Sequence, residues 1–341
     1  MRWVYRQEVG TLPIPPVVRE KLLQRGFRTV GDLENIGPVD LADESGITRM
    51  EAAQVIRAAF PNKRRAAAKT AMQLWEEEKA APRIITFCQA VDKILGGGIA
   101  TREVTEIYGP PGVGKTQIGM QLAIDVQIPP IMKGAGGAAV YIDTEGSFFL
   151  HRARQMAEHA VHHIQALGAR SNCRDPAVLD FTVTKVLSNI HYFRVLDYAK
   201  QLAVTNSLDG FIEQHPEVKL VVVDSVAFHF RQGFTDFAKR SRVLVQMAQK
   251  LARLAEKRKV AIVFMNHITT RFRENGERIL VASLGETWAS CARNRVRLSW
   301  EGGQRMALME KSPYLPPVSA PYWITSQGIR GPSSKQGQPS R

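Results

Sequence analysis

The 341-residue chain predicts an α/β core with a largely parallel central sheet, preceded by a small helical N-terminal domain. Three observations carry that expectation. From Ile84 onward, short apolar runs of the fully buried strand type alternate with helical segments. A glycine-rich loop, Gly109-Pro110-Pro111-Gly112-Val113-Gly114-Lys115-Thr116, stands between one such strand and a helix. The first sixty residues instead carry short helical runs broken at glycines.

In the N-terminal domain, residues 1–61, Pro15-Pro16 precede a helix from Val17 to Gln24 that stops at Gly26. A second short helix is predicted around Val30–Asn35, ended by Gly37-Pro38, and a third from Val39 to Glu44. The turn Ser45-Gly46-Ile47-Thr48 leads into a longer helix, Arg49–Phe60. That turn suits either a plain packing module or a helix-hairpin-helix unit whose turn N–H groups grip a DNA phosphate. Residues 62–83 read as a linker carrying a helix: Asn62-Lys63-Arg64-Arg65 is a charge run, Glu76-Glu77-Glu78 an acidic stretch, and Pro82 ends it. Within the core, residues 84–327, the predicted strands are Val104–Tyr108, Ala138–Ile142, Ile190–Phe193, Leu220–Val223 and Val260–Met265, with Val296–Trp300 and Met306–Glu310 as an edge meander. Gln117–Val126 reads as the helix leaving the glycine loop. Arg240–Lys259 reads as a second helix, its Val243, Met247, Leu251 and Leu254 stripe facing the core. The Ser/Gly/Gln/Pro-rich tail, 328–341, is expected to be disordered.

Composition bounds the function. Hydrophobic content of 44% suits a globular protein, and no apolar stretch is long enough to span a bilayer, so no membrane partner is expected. Arg2 and Arg6 interrupt the N-terminus where a secretory apolar region would lie, which predicts an intracellular protein. Cys88, Cys173 and Cys291 match no metal-ligand spacing and read as buried or reduced thiols. A net charge of +14 favours polyanionic partners, nucleic acid above all.

The glycine loop fits Gly-x4-Gly-Lys-Ser/Thr, a pattern that a chain this long meets by chance roughly one time in a hundred. Glycines let successive N–H groups turn inward on a triphosphate, and the following helix adds its positive end. Lys115 reaches the outer phosphates and Thr116 ligates magnesium, with Gln117 beside them. Asp224 follows the apolar strand Leu220-Val221-Val222-Val223, as an acid that holds Mg²⁺ does. Glu145 ends Tyr141-Ile142-Asp143-Thr144-Glu145-Gly146 and suits a general base polarising water. Asn266-His267 closes a third strand; His267 is either a γ-phosphate sensor or a local hydrogen-bonding residue. ATP and Mg²⁺ are the expected cofactors. Two segments mix aromatic and basic residues as single-stranded DNA sites do: 228–240, with Arg231, Lys239 and Arg240, and 268–284, with Arg271, Arg273 and Arg278. An ordinary polar loop remains the alternative for each. A small-molecule kinase would need an arginine-rich lid segment, and none is evident.

These motifs, in this order, resemble the RecA-like recombinases of the eukaryotic and archaeal type. The resemblance spans the lead-in segment Asp92-Lys93-Ile94-Leu95-Gly96-Gly97-Gly98, Gly114-Lys115-Thr116-Gln117, Ile142-Asp143-Thr144-Glu145-Gly146 and both basic segments, over roughly residues 10–325. Finer features look most like the third (C) branch of the strand-exchange recombinase's paralogues: Ile84-Ile85-Thr86-Phe87-Cys88, Asp125-Val126-Gln127-Ile128-Pro129, Tyr192-Phe193-Arg194 and Leu284-Gly285-Glu286-Thr287-Trp288. The resemblance implies a RecA-like ATPase core with ATP held between subunits, Glu145 activating water, and two DNA-binding loops. It also implies a nuclear DNA-dependent ATPase acting in homologous recombination and double-strand-break repair, with single-stranded or branched DNA and other paralogues as partners. Two departures bear on this. The family's sensor is usually Gln, whereas an imidazole is shorter and titrates near neutrality. Ala68 stands where filament-forming members carry a phenylalanine that docks into the next subunit, so short heteromeric assemblies are expected over long homofilaments. Weak coupling at His267 would leave an ATP-stabilised scaffold with little turnover.

Overall fold

The computed structural model describes residues 7–34, 36–60, 69–232, 236–272, 276 and 278–332. The chain divides into two compact units, Met1–Lys79 and Ala80–Arg341.

The first unit is helical. Its helices are Pro16–Gln24, Pro38–Ser45, Arg49–Ala59 and, at its end, Ala71–Ala80. The run expected around Val30–Asn35 is a 3₁₀ turn, Val30–Leu33, started by a reciprocal Thr29–Asp32 capping box. Gly46 takes φ +66°, which stops one helix, and Thr48 caps the next through Glu51. Val9, Leu22, Val30, Leu33, Leu41 and Val55 are fully buried in this unit's own core. The linker helix foreseen from the sequence belongs to this unit; the basic run Lys63-Arg64-Arg65 and Ala68 lie outside the described residues.

The second unit is the α/β core. A short antiparallel pair, β1 (Arg83–Ile84) and β2 (Ile99–Ala100), precedes it. Then come β3 (Val104–Tyr108), β4 (Ala138–Asp143), β5 (Ile190–Arg194), β6 (Val218–Asp224) and β7 (Ala261–Asn266). A hairpin follows, β8 (Ile268–Phe272) with β9 (Arg278–Ala282), and then β10 (Asn294–Glu301), β11 (Gln304–Lys311), β12 (Ser319–Thr325) and β13 (Gly328–Arg330). Among the described residues the central sheet has the order β13-β12-β11-β10-β3-β7-β6-β4-β5. It is parallel from β10 to β5 and antiparallel from β10 to β13.

Strands β4 and β7 are buried along their whole length, as parallel strands covered on both faces must be. One face packs against helix Lys115–Asp125 through Ile118, Met120 and Leu122. The other packs against helix Phe237–Arg258 through Leu244, Met247, Leu251 and Leu254. Register brings the carboxyl ends of four strands together: Tyr108 pairs with Asn266, Asp224 with Met265, and Asp143 with Asp224.

The expected disordered tail is corrected at its start. Gly328–Arg330 extends the sheet as β13, and Ile329 is 1% exposed. Gly328 has φ +108°, a left-handed angle that side chains rarely adopt, which favours glycine at the start of this strand. The edge meander is likewise longer than foreseen, because β12 joins β10 and β11.

Candidate active site

The glycine loop leaves β3 and enters helix Lys115–Asp125 through two residues in the left-handed region, Gly112 (φ +74°) and Gly114 (φ +109°). Only glycine takes these angles without strain. A Cβ on Gly114 would also lie 2.4 Å from Ile324 Cδ1, and one on Gly109 would lie 2.5 Å from Leu298 O. The loop is therefore wedged between β10 and β12. Lys115 folds back over it, and its Nζ donates to Gly109 O at 2.9 Å and Pro110 O at 3.0 Å. Burial lowers the Lys115 pKa, opposed by the charges of Asp224 and Glu145.

Thr116 Oγ1 donates to Asp224 Oδ2 at 2.7 Å, and Tyr141 OH donates to the same oxygen at 2.8 Å. Burial raises the Asp224 pKa, with those two hydrogen bonds opposing it. The peptide bond Asp224-Ser225 is cis. Just beyond β4, the carboxylate of Asp143 accepts the N–H groups of Glu145, Gly146, Ser147 and Phe148. That fan of bonds fixes the turn and with it Glu145. Glu145 Oε1 accepts from His267 Nε2 at 2.6 Å and from Ser225 Oγ, and Ser225 Oγ lies 3.0 Å from His267 Nε2. Burial pushes Glu145 up, but the His267 and Ser225 hydrogen bonds and the charges of His267 and Lys115 outweigh it and leave it below the usual carboxylate range.

Lys115, Thr116, Gln117, Glu145, Asp224 and His267, together with Pro111, Gly112 and Gly114 of the loop, line one cavity of about 660 Å³. Gly109, Pro110 and Val113 complete the loop; Val113 is fully buried and its carbonyl accepts from Tyr322 OH at 2.8 Å. The far wall was not legible in the sequence. It consists of Arg152, Arg305, Ile324, Thr325 and Ser326. Arg152 donates to Gln117 Oε1 at 2.8 Å and to the Thr325 and Ser326 carbonyls, tying the loop helix to the end of β12. No local motif marks an arginine 35 residues beyond Gln117, and only the fold of the intervening helix and strand brings it back.

The residues fit a magnesium nucleotide. Thr116 and Asp224 offer hard oxygen ligands 2.7 Å apart, the donor set that Mg²⁺ prefers. Arg305 stacks 4.2 Å over the Trp300 ring, and its buried Nε has no hydrogen-bond partner among the described residues.

The basic residues are distributed more widely. Arg231 is exposed at the end of helix Phe228–Gln232, Lys239 is exposed, and Arg240 is half-buried in the first turn of helix Phe237–Arg258. Arg271 and Arg278 lie on the β8–β9 hairpin where a loop was expected. Arg271 pairs with Ile279 and Arg278 with Phe272, so strand alternation puts the two arginines on opposite faces. Arg271 is salt-bridged to Glu286 at 2.8 Å. Arg273 lies outside the described residues. In the N-terminal unit, the Gly46 N–H is bonded to Ala42 O and the Thr48 N–H to the Glu51 carboxylate. Two of the turn donors that a DNA phosphate would need are thus already engaged. No described helix is long and apolar enough to cross a membrane.

Comparison with known proteins places the chain in a family. A family model described as Rad51 matches residues 78–173 and 177–332. "DNA repair protein RAD51 homolog 3" of Cricetulus griseus is 39% identical over 338 residues, covering 95% of this chain and 92% of the relative. The protein of the same description from Dictyostelium discoideum is 39% identical over 248 residues, covering 72% of this chain and 65% of the relative. "DNA repair and recombination protein RadA" of Metallosphaera sedula is 34% identical over 317 residues and 92% of each chain.

Proposed function

This chain belongs to the Rad51 family of RecA-like recombinases, and from that premise we propose that it is an ATP- and DNA-binding recombinase paralogue. Its work is homologous recombination and double-strand-break repair in the nucleus, as a DNA-dependent ATPase within a heteromeric paralogue complex. Single-stranded or branched DNA is the nucleic-acid partner. The observation that carries this reading is the convergence of Lys115, Thr116, Asp224, Glu145 and His267 on one cavity.

In the proposed site the loop N–H groups and Lys115 would hold the phosphates, while Thr116 and Asp224 would hold Mg²⁺. Arg152, Gln117 and Arg305 bound the remainder of the nucleotide. Bound ATP–Mg²⁺ supplies the phosphoryl group to be transferred to water. Glu145 takes the proton of that water, and its depressed pKa keeps it ionised at neutral pH. His267 holds the same carboxylate oxygen at 2.6 Å, so it controls when Glu145 is free to act. Asn266 Oδ1 accepts the His267 N–H, and Asn266 Nδ2 donates to Ser283 O, which runs from β9. This is a physical route by which DNA on the hairpin would reach the base.

The clamp on Glu145 also favours the second reading, an ATP-stabilised scaffold with little turnover. ATP hydrolysis with and without single-stranded DNA, in wild type and Glu145→Gln, separates the two. DNA stimulation that falls at least about 100-fold in the variant supports the ATPase. Background turnover in both, despite tight ATP binding, supports the scaffold; no ATP binding would overturn both.

A further inference from the structure

We propose that His191, His215 and Glu217 form a binding site for a divalent transition-metal ion of the zinc class, separate from the nucleotide cavity. The topology puts them together. Strand β5 carries His191 as its second residue; helix Tyr198–Gln214 then runs back along the sheet and delivers His215 as its C-cap, and Glu217 immediately precedes β6. All three sit at the amino-terminal ends of β5 and β6, whereas the cavity lies at the carboxyl ends of the strands. None of them lines it.

The ligand chemistry suits zinc. Two imidazoles and one carboxylate are a known donor set for Zn²⁺, and three protein ligands leave a fourth position for water or an incoming group. A tetrahedral ion with bonds of about 2.0–2.2 Å places its ligand atoms about 3.3–3.6 Å apart. Here His215 Nδ1 lies 3.2 Å and His191 Nε2 4.0 Å from Glu217 Oε1, and one ligand atom from each residue falls within 4.8 Å of the others. Binding would have to draw His191 Nε2 in from 4.0 Å towards Glu217 Oε1. Phe211 orients both rings: its centroid is 5.2 Å from that of His191, edge-on, and 4.4 Å from that of His215. The carbonyl end of a 17-residue helix adds a field that favours a cation. Among the described residues no other group of three His, Cys, Asp or Glu side chains meets this spacing.

The test is Zn²⁺ titration of the purified, nucleotide-free full chain against a chromophoric chelator, followed by Co²⁺ absorption. One tight equivalent is expected, unmoved by excess Mg²⁺, with the intense visible bands of four-coordinate Co²⁺. His191→Gln, His215→Gln and Glu217→Gln should each weaken it by more than the roughly 10–100-fold that losing a mere outer-shell partner costs. Far-UV circular dichroism checks that each variant folds, and the wild-type Co²⁺ spectrum tests the geometry without any substitution. The control is His159→Gln/His163→Gln, which removes an i, i+4 histidine pair from helix Leu150–Arg170. Loss of the tight equivalent in that control, its displacement by Mg²⁺, its survival in the His191 and His215 variants, or its absence from wild type would each overturn the proposal.

Discussion

Asp92 shows how much one lead-in residue contributes. Its Oδ1 accepts from the Thr86 N–H and from Thr86 Oγ1, both at 2.8 Å, and so pins the chain before the first core helix. Burial nevertheless pushes its pKa from 3.8 to about 6, against those two bonds. A carboxyl whose folded pKa is raised stabilises fully below its unfolded pKa, and that contribution is lost as pH rises through the folded value. The window here is therefore about pH 4 to 6, and at neutral pH the ionised Asp92 costs on the order of 3 kcal/mol. Asp92→Asn keeps the acceptor and removes the charge. It should unfold at higher urea than wild type at pH 7.5, with the difference shrinking towards zero near pH 4. A gap that does not change with pH would refute the assignment. Glu106 is a buried side chain with several hydrogen-bond donors around it. It is 0% exposed and accepts from Asn266 Nδ2 at 2.6 Å, Trp288 Nε1 at 2.9 Å and Arg295 Nε at 2.6 Å. Glu106→Ala takes from Arg295 its 2.6 Å partner, leaving the 3.3 Å pairing to Glu310 and the stacking on Tyr108, and should cost about 3–5 kcal/mol by urea unfolding. Glu106→Gln, which keeps an acceptor, should cost less.

At the scale of elements, the parallel strands and the β10–β11 meander were legible, and β12 and β13 were not, for a physical reason. Strands β3, β4, β6 and β7 are covered on both faces, so each must be apolar throughout, and a run such as Leu220-Val221-Val222-Val223 can be read without context. The carboxyl ends of those strands carry the polar groups, which is why Asp224, Glu145 and His267 were found from local pattern. Strand β12 contains Pro321, and β13 is three residues in a glycine-rich tail; both depend on partners distant in sequence. Arg152 and Arg305 were missed on the same ground, since the cavity wall they build exists only after β12 has been added. The β8–β9 hairpin was hidden by its charges, which read as a polar loop. Truncation after Gln327 tests the importance of β13. It removes Ile329, whose N–H donates to Gln121 Oε1 at 3.1 Å, and it should cost about 2–3 kcal/mol in apolar burial alone, seen as a lower melting temperature. An unchanged melt would return that segment to the status of a tail.

For the whole molecule, the net charge of +14 decides how DNA would be held. Counterion release makes affinity for single-stranded DNA fall with salt at a log–log slope of about −0.7 per phosphate neutralised. Not every basic residue contributes equally. Arg271 already faces Glu286 at 2.8 Å, and Lys257 and Arg258 are bound to Asp209, so these charges are partly neutralised within the protein. Exposed ion pairs of this kind are worth no more than about 1 kcal/mol, so on the proposed reading DNA would compete with Glu286 for Arg271. Glu286→Gln should therefore raise DNA affinity at low salt. Arg231 and Lys239 stand exposed on either side of residues 233–235. On the proposed reading both meet phosphates, and Arg231→Ala/Lys239→Ala should make the slope shallower by about 1.4, equally for DNA of any sequence. Fluorescence anisotropy across a salt series, with ATP present, measures this directly. A loss of affinity at unchanged slope would mean that the two side chains shape the segment without touching the backbone of the DNA, and the phosphate contacts would then have to be sought on the hairpin.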